Sequence, residues 1–116
     1  MLVPRLSAEL ESSAPIFAAL GDKTRAQLVA RLCAGEPLSI TQLSSGTRVT
    51  RQAVTKHLHV LAGAGLVQGS RHGREQLWQL RPQQLREARR CLGLISRQWD
   101  DALSRLKALV EQEGSD

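Results

Sequence analysis

Apolar positions change their spacing several times along the chain, and each change marks a predicted element. Residues 14–20 (APIFAAL) form a short predicted helix, with Pro15 in its first turn, where a missing N–H removes no helical hydrogen bond. Asp22 then caps a second helix, DKTRAQLVARLCAG, which Gly35 ends. The residues before this pair, 1–12, are expected to form an N-terminal arm.

The middle of the chain predicts two further helices separated by a tight turn. A short extended piece leads into a brief third helix, for which Ser39 or Thr41 is the cap. Gly46 forces the turn that follows. Thr50 caps a fourth helix over 51–62, which stops at the glycines of GAG.

After these glycines, the spacing of the apolar residues changes twice. LVQGSR and EQLWQL alternate apolar and polar residues around His72-Gly73-Arg74, which predicts a two-stranded ribbon with a tight tip. From 82 to 113 the apolar residues return at alternating spacings of three and four, as in a long helix. The members of this seam are Leu85, Ala88, Leu92, Ile95, Trp99, Ala102, Leu106 and Leu109.

So long an apolar stripe exceeds what a chain of 116 residues can bury, and the surplus predicts a dimer built on the last helix together with the first. The expected interface residues are Phe17, Leu92, Ile95, Trp99, Ala102, Leu106 and Leu109. We therefore expect a single domain over 1–116, mostly α with a small β-hairpin wing. It comprises the arm, a winged-helix core over 14–80 and a dimerisation helix over 82–113.

The fourth helix carries a polar stripe opposite its apolar side. A polar stripe on an amphipathic helix is usually a solvated face, and a basic hairpin tip is usually an ordinary hydrophilic turn. Here the glycine turn, the helix cap and the ribbon occur in the order of a winged helix-turn-helix, whose second helix enters the DNA major groove. The predicted DNA-binding residues are Arg48, Thr50, Arg51, Gln52, Thr55, Lys56, His59, Arg71, His72 and Arg74.

The net charge of +5 favours an anionic partner, and its distribution is more informative than its size. No Asp or Glu occurs from 37 to 74, so this stretch can approach phosphates without repulsion. No apolar run is long enough for a membrane span, and the start lacks the pattern of a secretion signal. These features predict a cytoplasmic protein that binds double-stranded DNA.

The segments IFAALGDKTRAQLVARL, LSITQLSSGTRVTRQAVTKHLHVLAGAGLV and GSRHGREQLWQL resemble the ArsR/SmtB family of bacterial winged-helix repressors. The resemblance covers about 15–80. It implies a homodimer that binds an imperfect palindromic operator and represses its own or neighbouring genes. Many members of that family release DNA when they bind a metal ion.

The chain departs from the metal-sensing members of this family. Its third helix reads Thr-Gln-Leu-Ser-Ser where thiolate sensors carry Cys-x-Cys, and its last helix contains no histidine. His57 and His59 point roughly 200° apart on the fourth helix and cannot chelate one ion together. We therefore expect no metal site and no cofactor, and we expect His57 to pack or hydrogen-bond on the inner flank.

Two alternatives stay open from the sequence. Cys33 and Cys91 invite a thiol-based redox switch of the kind that some family members use, although two small, partly buried apolar residues are the simpler interpretation. A winged helix can also serve as a protein-interaction module. An enzyme is not expected, because the chain has no coherent catalytic triad, phosphate-binding loop or metal cluster.

Overall fold

A computed structural model describes residues 3–114, which fold into five helices and three strands. In chain order these are α1 (Val3–Leu20), α2 (Lys23–Leu32), β1 (Leu38–Ser39), α3 (Ile40–Ser44), α4 (Arg51–Gly63), β2 (Val67–His72), β3 (Glu75–Leu80) and α5 (Pro82–Gly114). The predicted fold class, mostly helical with a small antiparallel wing, is confirmed. No helix within residues 3–114 has both the length and the apolar character needed to cross a membrane.

The first helix is longer than predicted. It begins at Val3 rather than near Ala14, so most of the expected N-terminal arm is helical and Pro15 lies inside the helix. An internal proline normally breaks or kinks a helix because it lacks an N–H and crowds the preceding turn. Here α1 packs along α5, with Ser13 and Ile16 only 1% and 4% exposed, and this tertiary packing keeps the turns before the proline helical.

Side-chain caps start the other short helices where the sequence predicts. The Asp22 carboxylate accepts the backbone N–H of Arg25 at 3.0 Å and begins α2. Ser39 and Gln42 form a reciprocal capping box on α3, which settles the choice between Ser39 and Thr41. Each cap satisfies N–H groups that have no partner within their own helix.

The sheet has one strand more than the predicted ribbon. β2 and β3 pair antiparallel from Val67 opposite Leu80 to His72 opposite Glu75. β1 adds to the other edge of β3, with Leu38 opposite Trp78, so the strand order is β1-β3-β2. This short strand anchors the base of the wing to the start of α3.

The core lies where α2, α3 and α4 meet the base of the wing. Its members are nearly inaccessible to solvent and include Leu28, Val29, Leu32, Leu43, Val54, Leu58, Leu61, Leu66, Val67 and Trp78. The predicted interface residue Phe17 is half-buried and packs against this core within its own chain.

The last helix divides into a packed half and a projecting half. Ala88, Cys91 and Leu94 are buried in the first half, where α5 packs along α1. From 99 to 113 every residue is exposed over about 22 Å of helix. The large apolar side chains left exposed on α5 are Leu92, Trp99, Leu103, Leu106, Leu109 and Val110. Of the other predicted interface residues, Ala102 is exposed and Ile95 is half-buried.

The cap at Asp22 predicts an acid-dependent contribution to stability. Its pKa is lowered in the folded state, chiefly because the Arg25 backbone N–H donates to its carboxylate. A lowered folded pKa stabilises the protein above the unfolded pKa of about 3.9 and ceases to do so as the pH falls through the folded value. In urea titrations, the stability advantage of wild type over Asp22→Ala should therefore be present at about pH 5 and shrink below about pH 4.

The matched control is Asp22→Asn, which keeps a capping oxygen that does not titrate. Its advantage over Asp22→Ala should persist at low pH. A wild-type advantage over Asp22→Ala that stays unchanged down to pH 2.5 would contradict the assignment.

Candidate nucleic-acid interface

Burial fixes the rotation of α4 in the molecule. Val54, Leu58 and Leu61 are 1%, 0% and 0% exposed, so this side of the helix is enclosed by the core. Residues on other sides of a helix then face outward at fixed angles. Of the predicted contact residues, the structure places four on the exposed surface of α4: Arg51, Gln52, Lys56 and His59.

The turn between α3 and α4 is held by local hydrogen bonds. Gly46 adopts a φ of 74°, a conformation that side-chain-bearing residues rarely adopt. The Thr47 hydroxyl donates to the Ser44 carbonyl at 2.8 Å, which closes the end of α3. The Arg31 guanidinium of α2 donates to the carbonyls of Leu43 and Gln42 at 2.6 and 2.9 Å. The angle between the two helices is therefore braced from α2.

Two threonines of the predicted set also have structural partners. The Thr50 hydroxyl accepts the Ala53 backbone N–H at 3.1 Å as the N-cap of α4. The Thr55 hydroxyl donates to the Arg51 carbonyl at 2.9 Å, and its side chain is half-buried. Thr50 thus sets where the helix starts, and the donor of Thr55 is used within the helix.

The wing brings basic residues opposite the start of α4. Gly73, with a φ of 65°, forms the tip together with Arg74. His72 and Arg74 face Arg51 across a cleft of about 570 Å³. The remaining lining residues are Ser39, Ile40, Thr41, Glu75 and Gln76. Arg48 and Arg71 are exposed, but they do not line this cleft.

Thr41 and Gln76 are cleft residues that the sequence analysis missed. In the sequence, Thr41 has the pattern of a possible helix cap and Gln76 belongs to the alternating strand pattern. Their polar side chains join Arg51 because β3 folds back beside the start of α3, a contact between distant parts of the sequence. Glu75 is the one carboxylate in the lining, so the cleft as a whole carries positive charge.

His59 connects α4 to the wing. Its ring meets the Trp78 ring edge to face, with centroids 5.8 Å apart and planes at 88°. Aromatic pairs favour this arrangement because the positive ring edge points at the negative ring face. Trp78 is only 3% exposed and is held in the core. His59 therefore packs against a buried ring while it remains exposed to solvent.

The other candidate chemistries have little support among the described residues. Within residues 3–114, no group of three or more His, Cys, Asp or Glu side chains is arranged to hold a metal ion. Cys91 is completely buried, whereas Cys33 is exposed at the end of α2, so the expectation that both are partly buried is wrong for Cys33. Cys33 lies outside the core because α2 turns its last apolar residue, Leu32, inward instead.

The predicted inner-flank role of His57 is confirmed by its contacts with Arg25 of α2 and with Asp22, the N-cap of α2.

Comparison with known proteins agrees with this geometry. A family described as a helix-turn-helix domain matches residues 20–69. The chain is 39% identical over 98 residues to the HTH-type transcriptional regulator Rv2034 of Mycobacterium tuberculosis, an alignment that covers 84% of this chain and 88% of the relative.

Solved structures show the same architecture. An ArsR-like transcriptional regulator from Rhodococcus sp. RHA1 superposes with a TM-score of 0.72 at 33% identity, covering 85% of this chain and 92% of that one. The homodimeric winged helix-turn-helix DNA-binding domain of Mb0332 from Mycobacterium bovis shares the fold, with a TM-score of 0.60 at 24% identity over 84% of this chain and 86% of its own. The exposed face of α4, the wing and these relatives lead to one conclusion: the chain belongs to the ArsR family of winged helix-turn-helix transcriptional regulators.

Proposed function

We propose that the protein is a homodimeric repressor that binds an imperfect palindromic operator and places α4 of each subunit in successive major-groove segments. The observation that carries the proposal is the cleft in which Arg51 of α4 faces His72 and Arg74 of the wing. A DNA backbone that follows this cleft would bring the exposed face of α4 to the base edges. Operators of this kind repeat their half-sites at about one helical turn or a small multiple of it.

The exposed side chains divide into two tasks. Arg51 can fork to a guanine and Gln52 can pair bidentately with an adenine, so these two residues would read sequence. Arg48, Lys56, Arg71 and Arg74 would neutralise phosphates, which positions the protein without reading sequence. The half-buried Thr55 would also read sequence, by offering its methyl group to a thymine, since its hydroxyl already donates to the Arg51 carbonyl.

The projecting half of α5 supports the homodimer. Trp99 and Leu106 are 64% and 57% exposed in the single chain, and such a continuous apolar face is rare on a monomer. A two-fold arrangement would cover the same face on both subunits. The related domain of Mb0332 is itself homodimeric.

The proposal predicts strongly salt-dependent, selective binding to the DNA upstream of the gene for this protein. Arg48, Arg51, Lys56, Arg71 and Arg74 supply ten cations per dimer. If roughly six to ten phosphates are neutralised, affinity should fall about a thousandfold or more between about 50 and 200 mM salt. Fluorescence anisotropy with a scrambled duplex as competitor measures both properties.

Weak, equal binding to both duplexes at every salt concentration would contradict this assignment to the upstream DNA. Genomic selection of bound fragments would then separate an operator elsewhere from a protein partner for the basic surface.

Substitutions on α4 and on the wing should have different effects on binding. Arg51→Ala or Gln52→Ala should lower the ratio of operator to scrambled-duplex affinity by roughly tenfold, because each removes a base contact. Arg74→Ala should weaken binding to both duplexes alike and reduce the salt slope by about one for each subunit. The same titration measures all three variants. An unchanged affinity ratio in both α4 variants would show that α4 does not read the DNA.

A charge on the exposed face of α5 should separate the subunits. Leu106→Glu should give a monomer in light scattering at micromolar concentration, because it buries a carboxylate in an apolar interface. Operator affinity should fall about a hundredfold or more, since the two half-sites no longer bind as a unit. The control is Ser104→Glu, which adds the same charge at an exposed position on the opposite side of the helix. If Leu106→Glu remains dimeric, another surface holds the dimer together.

A further inference from the structure

Arg25, near the start of α2, reaches two other helices at once. Its Nε donates to the Ala19 carbonyl at 2.7 Å, and one terminal nitrogen lies 3.4 Å from the Ala18 carbonyl. The other terminal nitrogen lies 3.4 Å from Nδ1 of His57 on α4. One planar guanidinium group thus contacts the C-terminal end of α1 and the inner flank of α4.

The α1 side of this contact is chemically favourable. The last four carbonyls of a helix have no partner inside it, and the negative end of the helix dipole lies there. A guanidinium group presents several N–H donors in a fixed plane and always carries its charge. Arg25 therefore supplies a hydrogen bond to the Ala19 carbonyl and a positive charge at the end of α1, where the Ala18 carbonyl also accepts the Gly21 backbone N–H at 3.3 Å.

The contact with α4 depends on which ring nitrogen of His57 carries the proton. Nδ1 can accept from Arg25 only when the ring proton is on Nε2. The carboxylate of Asp22, the N-cap of α2, lies 4.0 Å from the same Nδ1, so a positive and a negative group both lie near this nitrogen. The other side-chain hydrogen bonds described for α4 are local ones at its first turns, made by Thr50 and Thr55. His57 is accordingly the described side chain that connects α4 to α2 by polar contacts.

We propose that Arg25 is a positioning residue for DNA recognition, which ties α4 to the C-terminal end of α1 through His57. α1 packs along α5, which carries the proposed subunit interface. The tie therefore sets the direction of α4, the proposed recognition helix, relative to that interface. The proposal rests on the proposed DNA-binding function and adds to it the residue that aligns the recognition helix. Arg25 does not belong to the exposed face of α4 or to the cleft, so it would act without touching DNA.

The test compares variants that remove or keep the tie. Arg25→Met keeps the aliphatic stem but loses the donors. His57→Leu removes the acceptor, whereas His57→Asn retains an amide oxygen close to the Nδ1 position. Asn and His have similar helix propensities, which makes His57→Asn the conservative partner of His57→Leu. Arg97→Met, at an exposed position of α5 on the side opposite its apolar face, controls for the loss of one positive charge.

The first readout is the ratio of operator to scrambled-duplex affinity, measured well below each variant's melting temperature. The ratio should fall about tenfold in Arg25→Met and in His57→Leu, the size expected when one base contact per site is lost. It should stay near the wild-type value in His57→Asn and Arg97→Met. A simple loss of stability would lower the melting temperature without changing the ratio among folded molecules.

The second readout needs no DNA. Hydrogen exchange of peptides that cover residues 15–20 and 51–63 should rise in His57→Leu and recover in His57→Asn. If the wild-type protein selects no duplex, the proposed function fails while this exchange pattern still supports the tie. If the affinity ratio and the exchange of folded His57→Leu both match the wild type, the positioning role is wrong. If Arg25→Met does not fold, the comparison of His57→Leu with His57→Asn tests the positioning role.

Discussion

Val54, Leu58 and Leu61 enter the core from one side of α4 and leave almost no surface exposed to solvent. Rotating α4 by a few tens of degrees would expose these side chains and push charged ones into their place, which costs several kcal/mol by ordinary transfer energies. The core therefore fixes which residues of α4 face outward. The position of the cleft follows from the same constraint, because Arg51 can face the wing only while the helix keeps this rotation.

The wing and α4 reinforce each other's placement. β1 pairs with β3 at Trp78, Trp78 is buried in the core, and the ring of His59 on α4 packs against it in a T-shaped arrangement. The wing is therefore connected to the helix-turn-helix through a shared aromatic contact as well as through the chain. The wing and the exposed face of α4, the two surfaces proposed to contact DNA, are thus built on one packed unit, which limits their relative motion.

Much of this arrangement follows from local sequence signals. The caps at Asp22 and Thr50, the glycine at the α3–α4 turn and the alternation around His72 each act within a few residues, so they are visible in the chain itself. The features that the sequence does not predict depend on contacts between distant parts of the chain. α1 continues through Pro15 because α5 packs beside it, and Thr41 and Gln76 share a cleft because β3 returns to the start of α3. The contact between Arg25 and His57 spans 32 positions and leaves no local pattern.

The length of α5 explains why the tie at Arg25 matters more than its few hydrogen bonds suggest. The first half of α5 packs along α1, while the second half projects beyond the body of the chain with its apolar face exposed. In the proposed dimer, a change in the contact between subunits would act first on α5 and then on α1, whose C-terminal carbonyls are held by the same guanidinium group that reaches His57. The hydrophobic core connects these elements without directional preference, whereas the hydrogen bonds of a planar guanidinium group require particular angles. In the proposed dimer, the two copies of α4 would have to stay at the spacing of a DNA turn. A directional contact would then pass a small shift of α1 to α4 as a change of angle, where nondirectional packing would absorb it.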